Sequence, residues 1–231
     1  MTDDPRTGAL RQLQANLVQR FGPMRRAPEQ RKPPEWNLVQ GLIGSRMPSV
    51  QSSAVADALV ARLGSWDAVA ALPQDRLASE LTGIRFPNQG AKRVHDVLGR
   101  VVALRGSVDL SHLAAMSTAD AIAWLDALPG LGRKIAAQVM NASTLARPAL
   151  VLDTHHLRIL ARMGLIGAKD TTEKAYNAIM PVLPPEWDGA TIDAHHMLMK
   201  ELGRTHCKPR TLDCPRCPAL ALCATGRSRV D

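Results

Sequence analysis

Aromatic side chains are scarce in this chain of 231 residues: four Trp, two Phe and one Tyr. A platform on which single-stranded bases stack needs several exposed rings, so the composition argues against one. No run approaches the ~18 uninterrupted apolar residues of a membrane-spanning helix. The start, Met1-Thr-Asp-Asp-Pro-Arg, is acidic and lacks the apolar core of a signal peptide. These absences point to a soluble chain with no membrane partner, placed in the cytoplasm. Sustained polar–apolar alternation is missing, as are repeats of solenoid length and low-complexity segments. Acidic residues are outnumbered, 21 Asp plus Glu against 29 Lys plus Arg. The excess favours a polyanionic partner without establishing one.

What the chain does have is apolar residues at helical spacing. They make up 45% of it, enough for a globular core. Its length suits one large domain or two small ones. The 3.6-residue period predicts helices at about 9–22, 35–45, 50–63, 65–72, 74–81, 90–105, 109–116, 119–128, 132–144, 153–163, 170–180 and 190–202, hence an all-α fold. The first buries Leu10, Leu13, Leu17, Val18 and Phe21. The second follows a basic, proline-containing linker and buries Trp36, Val39, Leu42 and Ile43. The helix at 90–105 turns Val94, Val97, Leu98, Val101 and Val102 inward and Lys92, Arg93 and Arg100 outward. Asp153 reads as an N-cap, and Asp170-Thr-Thr-Glu173 as a capping box.

The stretch 128–154 organises the rest. Leu128-Pro-Gly-Leu-Gly132 forms a tight turn, with Gly130 and Gly132 free to adopt angles that a side chain forbids. Backbone donors at the start of the next helix then make an anion site suited to phosphate. Two residues past Gly132 comes Lys134, and nineteen further on comes Asp153. An amine beside a phosphate-gripping turn is a candidate nucleophile, and the carboxylate its electrostatic partner. An unperturbed lysine titrates at ~10.4, so Lys134 needs desolvation and a helix N-terminus to free its lone pair. By itself, Lys134 equally suits a solvated phosphate-binding role. His155, His156, His195 and His196 read as core or phosphate-contacting side chains, His155 being the one placed for a phosphate. Arg133 reads as solvated or phosphate-facing.

All four cysteines fall in the last 25 residues, as Cys207, Cys214, Cys217 and Cys223. A disulfide framework is out of place in an intracellular chain. Four thiolates in C-x6-C-x2-C-x5-C spacing suit zinc or an iron–sulfur cluster. The long first gap leans towards iron–sulfur. A structural cluster is the simpler reading, and Lys208, Arg210 and Arg216 turn its loop into a basic surface.

Three motifs in this order resemble the endonuclease III branch of helix–hairpin–helix DNA glycosylases. Leu128-Pro-Gly-Leu-Gly-Arg-Lys134 is similar to the hairpin, Val151-Leu-Asp153-Thr-His to the aspartate signature, and the cysteine tail to the [4Fe–4S] loop. Asp193-Ala-His195-His196 and Gly203-Arg204 add to a match running from about residue 28 to the end. The resemblance implies a six-helix barrel domain at 28–147 containing the hairpin. It also implies a discontinuous cluster domain of 1–27 plus 148–231, with a DNA-binding cleft between the two. It implies a monomer, associated with the nucleoid, acting on double-stranded DNA with damaged bases or abasic sites. Lys134 takes the nucleophile's place and Asp153 the catalytic carboxylate's. Gly130, Leu131, Gly132, Arg133 and His155 fall at DNA-binding positions. Arg46 stands where the family has a glutamine that fills the gap left by a flipped base. Phe86, in a loop preceding an insertion, stands at an apolar wedge. The implied activity is glycosylase and lyase action, with oxidised pyrimidines the first substrate class. Alkylated-base or mismatch excision on the same fold, or damage binding with weak turnover, are the alternatives.

Overall fold

The computed structural model describes residues 4–230. In chain order its helices are α1 Pro5–Phe21, α2 Pro34–Ile43, α3 Ser49–Leu63, α4 Trp66–Ala71, α5 Gln74–Glu80, α6 Pro87–Arg105, α7 Thr118–Asp126, α8 Arg133–Ala142, α9 Thr154–Met163, α10 Thr172–Ile179, α11 Gly189–Thr205 and α12 Ala224–Val230. Short 3₁₀ turns lie at Pro28–Gln30, Ser111–Ala115, Met180–Val182 and Leu220–Leu222. No strand occurs among the described residues, only an isolated bridge between Cys207 and Leu212. None of these helices is long and apolar enough to cross a membrane. The fold is all-α, as the periodicity predicts.

Two units divide the chain: Arg31–Leu145, and Met1–Gln30 with Ala146–Asp231, of which 4–30 and 146–230 are described. In the first, α2 is buried almost throughout. Trp36, Leu38, Val39, Leu42 and Ile43 are all sequestered, and α2 packs on α3, α6 and α8. Val94, Val97, Leu98 and Val101 of α6 are fully buried, each contributing roughly 1.5–3 kcal/mol. Val102, expected inward, is only half buried.

Polar groups inside this unit are paired into a chain. Gln138 of α8 donates to Gln40 Oε1 (2.6 Å), Gln40 donates to Ser52 Oγ (2.7 Å), and Ser52 donates to Ser49 O (3.1 Å). The chain fixes α8 to α2 and α3, and nothing in the spacing of those residues announces it. Close approach at the same place depends on Gly41, where an added Cβ would lie 2.9 Å from Ile135 Cγ2.

In the terminal unit, α1 buries Leu10, Leu13 and Leu17, while Val18 and Phe21 are half buried. It is tied to distant sequence by Thr7 Oγ1 donating to Val182 O (2.9 Å) and Asn16 donating to Pro218 O (3.0 Å). α9 packs on α11 and α12. Gly203 of α11 lies so close to His155 of α9 that a side chain there would overlap the ring. The cap of α10 is Thr171, accepting from Lys174 N, and not Asp170. Asp170 is occupied with Gly167 N (2.8 Å) and Lys174 Nζ (2.7 Å).

Gly41→Val should cost about 1–3 kcal/mol of stability through overpacking of α2 on α8. Gly99→Ala, on an exposed stretch of α6 with nothing near the new methyl, should add roughly 0.5–1 kcal/mol. Urea denaturation of the two variants checks both signs.

Candidate active site

Gly130 has φ +71°, in the left-handed region that a side chain resists, and so makes the bend before α8. Gly132 differs from expectation. It caps α8 with φ −97° and ψ 159°, an extended conformation open to any residue. What its missing side chain does is leave the surface bare, since a Cβ there would meet nothing within 4 Å. Both glycines are exposed, whereas Leu131 is buried and its N–H donates to Leu128 O (3.2 Å). The bend therefore faces solvent through its glycines and anchors itself through Leu128 and Leu131. Lys134 is the second residue of α8, half buried at the positive end of that helix. Arg133 is not a solvated side chain: its Nε donates to Asp126 Oδ2 of α7 at 2.6 Å. That ion pair ties the start of α8 to the helix before the bend.

The two expected wedges lie in the same unit. Arg46 is exposed, with φ +58°, in the loop after α2. Phe86 caps α6 and shares a shallow pocket with Ser45, beside Arg46, and with Leu42, Ile43, Gln89 and Arg93. Its ring is half buried, and the Arg85 guanidinium sits 5.4 Å from its centre. The structure thus brings the Phe86 and Arg46 loops together. It holds the Phe86 loop through Gln51 Nε2, which donates to Gly83 O (2.6 Å).

In the terminal unit, Asp153 caps α9. Its Oδ1 accepts from the backbone N–H of His155 (2.9 Å) and of His156 (3.0 Å). Nδ1 of His156 lies 3.5 Å from the same oxygen, an ion-pair separation longer than a hydrogen bond. Burial alone would push the Asp153 carboxyl up. The His156 ring, aided by His196, overrides this and holds it well below the usual carboxylate range. Asp153 is therefore ionised at neutral pH.

The histidines form a stack rather than a metal site. His156 is fully buried, parallel to His196 (centroids 5.1 Å, 10°) and edge-on to His195 (5.8 Å). His196 Nδ1 bonds Val151 O (2.8 Å) and His195 Nδ1 bonds Gln14 Oε1 (2.8 Å). His155 stands apart, half buried, its ring pressed against Gly203. Its Nδ1 lies 3.0 Å from Arg158 Nη2. Arginine only donates, so Nδ1 is the acceptor and the neutral ring carries its proton on Nε2. Burial, followed by the nearby arginines, lowers its pKa against the pull of Asp153.

α9 also clamps the cysteine segment. Arg158 Nε donates to Cys207 O (2.9 Å), and Arg162 donates to Cys207 Sγ (3.1 Å), Lys208 O (2.8 Å) and Pro209 O (3.0 Å). Cys207, Cys214, Cys217 and Cys223 line one pocket with Leu212, Leu220 and His206. Burial, reinforced by the three neighbouring thiols, pushes Cys217 up to about 11, so any metal centre must displace protons as it binds. Among the described residues no three His, Cys, Asp or Glu side chains converge on a single-ion site. Four sulfurs around a shared, mostly apolar pocket fit the donor set of a larger iron–sulfur group.

This geometry defines a helical protein with a lysine at a solvent-facing glycine bend, a capped carboxylate and a four-cysteine pocket. The fold is shared with the trapped endonuclease III–DNA covalent intermediate, an estranged-adenine complex (TM-score 0.76, 21% identity, 97% of this chain and 99% of that one). It is shared as well with a thermostable thymine-DNA glycosylase (TM-score 0.74, 17% identity, 97% and 100%). No family model matches the chain. In sequence it is 37% identical over 102 residues to endonuclease III of Bacillus subtilis, a match spanning 44% of each chain. It is 31% identical over 156 residues to endonuclease III of Treponema pallidum, covering 68% of this chain and 67% of that one. The chain belongs to the endonuclease III family.

The buried histidines give a measurable consequence. Burial holds His195 well below its ordinary value, so the native ring stays neutral while the unfolded chain takes a proton near pH ~6.5. Stability should then fall as pH drops below that point, by at most about 1.4 kcal/mol per pH unit from this ring. His195→Leu should remove that share of the slope in urea titrations between about pH 5 and 7. An unchanged slope would mean that the ring is charged in the fold.

Proposed function

We propose that this chain is a bifunctional DNA glycosylase and abasic-site lyase that removes damaged bases from duplex DNA. One observation carries the reading beyond family membership: Lys134 stands in the first turn of α8, directly after a bend whose two exposed glycines leave the surface bare. Such a bend admits a phosphate backbone closely, and the amine is delivered with it.

The target carbon, C1′, is hidden in the duplex, so the nucleotide must be extruded before reaction. The neutral Nζ of Lys134 attacks C1′ and the base leaves with its bonding pair, taking up a proton. The C1′–O4′ bond then opens to give an imine between Nζ and C1′. Loss of the acidified C2′ proton expels the 3′ phosphate, and the strand breaks on that side. The positive end of α8 works against charge on Nζ, which keeps its lone pair available. Asp153, ionised at neutral pH, stabilises positive charge developing on the sugar and relays protons. His155 serves a phosphate through its ring Nε2–H. Phe86 and Arg46 occupy the space left by the extruded base, the first by apolar insertion.

In this reading Arg31–Leu145 is the barrel unit and the terminal unit is the cluster domain. Cys207, Cys214, Cys217 and Cys223 hold a [4Fe–4S] cluster, whose contribution is to cross-link the segment after α11. Lys208, Arg210 and Arg216 on that segment are exposed and meet DNA phosphates. Oxidised pyrimidines are the first substrate class. The protein works as a monomer in the cytoplasm, associated with the nucleoid.

A duplex with one abasic site tests the chemistry. The wild type should cleave it, and Lys134→Ala should lose at least about 100-fold in rate. Asp153→Asn still caps α9, so its thermal midpoint should stay close to wild type while cleavage falls by a similar factor. Tight lesion binding without cleavage by the wild type would favour the damage-binding alternative, and a panel of lesion-bearing duplexes ranks the substrates. Protein purified without oxygen should be brown, with iron and sulfide in equal amounts. Cys217→Ala should lose both, and a colourless, zinc-containing wild type would contradict the cluster assignment.

A further inference from the structure

Among the described residues, the hydrogen bonds donated to Asp153 go to Oδ1, from His155 N and His156 N. The other oxygen, Oδ2, takes none from any described residue. Beneath the carboxylate lies His156, completely buried, with no hydrogen-bond partner at either ring nitrogen. Its Nδ1 faces Oδ1 at 3.5 Å. A neutral imidazole has one N–H to place. On Nδ1 it meets a carboxylate and leaves only an acceptor unpaired. On Nε2 it leaves a buried donor unpaired and turns a lone pair towards an anion, which costs more. Packing removes the alternatives, because the parallel stack on His196 and the edge contact with His195 hold the ring where it is.

We infer that His156 is a positioning residue for Asp153, its buried Nδ1–H holding Oδ1 in place and leaving Oδ2 as the oxygen that meets the substrate. The inference rests on the proposed catalytic role of Asp153. The titratable groups against the ring are Asp153 on its own element and His195 and His196 on α11; His155, the residue before it, turns to Gly203 and Arg158. Asp193 of α11 is engaged by Arg26 at 3.1 Å, and Arg158 by the carbonyls of Cys207 and Thr154. Asp153 is accordingly the anion that the ring serves. Burial works to raise its carboxyl, and the His156 ring, with His196 and the His156 backbone N–H, brings it low.

Two variants and one measurement on the wild type test this. In the intact protein without DNA, ¹³C-labelled aspartate reports the titration of Asp153. His156→Leu, which keeps apolar bulk and removes the N–H, should move that titration to higher pH, and His156→Gln, which keeps a donor, should return it towards wild type. In single-turnover cleavage of an abasic duplex, the Leu variant should be slower by about tenfold, equivalent to about 1.4 kcal/mol of barrier. Its DNA affinity should stay within about twofold, and its acid limb should move upward with the carboxyl. The imidazole ¹⁵N spectrum of the wild type should show the proton of His156 on Nδ1, a result that needs no variant to fold. An Nε2–H ring, an unmoved Asp153 titration in the Leu variant, or a pH profile that is the wild type's merely scaled would overturn the inference. A wild type whose Asp153 titrates as expected but that cleaves nothing would support the pairing and overturn the enzymatic reading instead.

Discussion

A carboxylate withdrawn from water must find donors or it will not stay ionised, and the terminal unit is arranged around that requirement at Asp153. One oxygen starts α9 by capping two of its N–H groups, so the charge is placed by the same contacts that begin the helix. From that start the register of α9 is set, and each turn of the helix then has a task. His156 points back under the carboxylate, His155 packs on Gly203, and Arg158 and Arg162 reach the cysteine segment. A carboxylate, a candidate phosphate donor and a clamp on the thiols are thus carried on ten residues of one helix.

The lysine answers the opposite requirement. An amine that must lose its proton is served by the positive end of a helix and by partial burial, and Lys134 has both. The helix that carries it is held rigidly. Arg133 is tied to Asp126 before the bend, Gly41 lets α2 close on Ile135, and Gln138 enters a polar chain that runs to α3. In the proposed role as nucleophile, Lys134 gains from this support, because small displacements of a reacting atom are costly in rate.

Much of this was legible from residue order and some was not, for identifiable reasons. Leu10, Leu13 and Leu17, or Val94 to Val101, repeat at helical spacing, and burial alone makes them helical. α12 is not legible in the sequence because Ala224–Val230 has no apolar stripe. The capping box Asp170–Glu173 puts the cap at Asp170, and it falls one residue later, at Thr171, because Gly167 and Lys174 claim Asp170. The sequence suggests a conformational need at Gly132, but its angles are ordinary and its value is the bare surface above it. Arg133 looked solvated because its partner, Asp126, lies across a bend. The ring of His156 is the clearest case. Four histidines in two pairs announce a core or a phosphate site, and only the packing of α9 on α11 shows which of them lies beneath the carboxylate.

The proposed chemistry depends first on which amine bonds to the sugar. Borohydride reduction during incubation with an abasic duplex, followed by peptide mapping of the adduct by mass spectrometry, identifies it directly. The deoxyribose remnant should be found on Lys134. A remnant on another lysine or on the N-terminal amine, or no adduct at all while the strand is cut, would contradict the central claim.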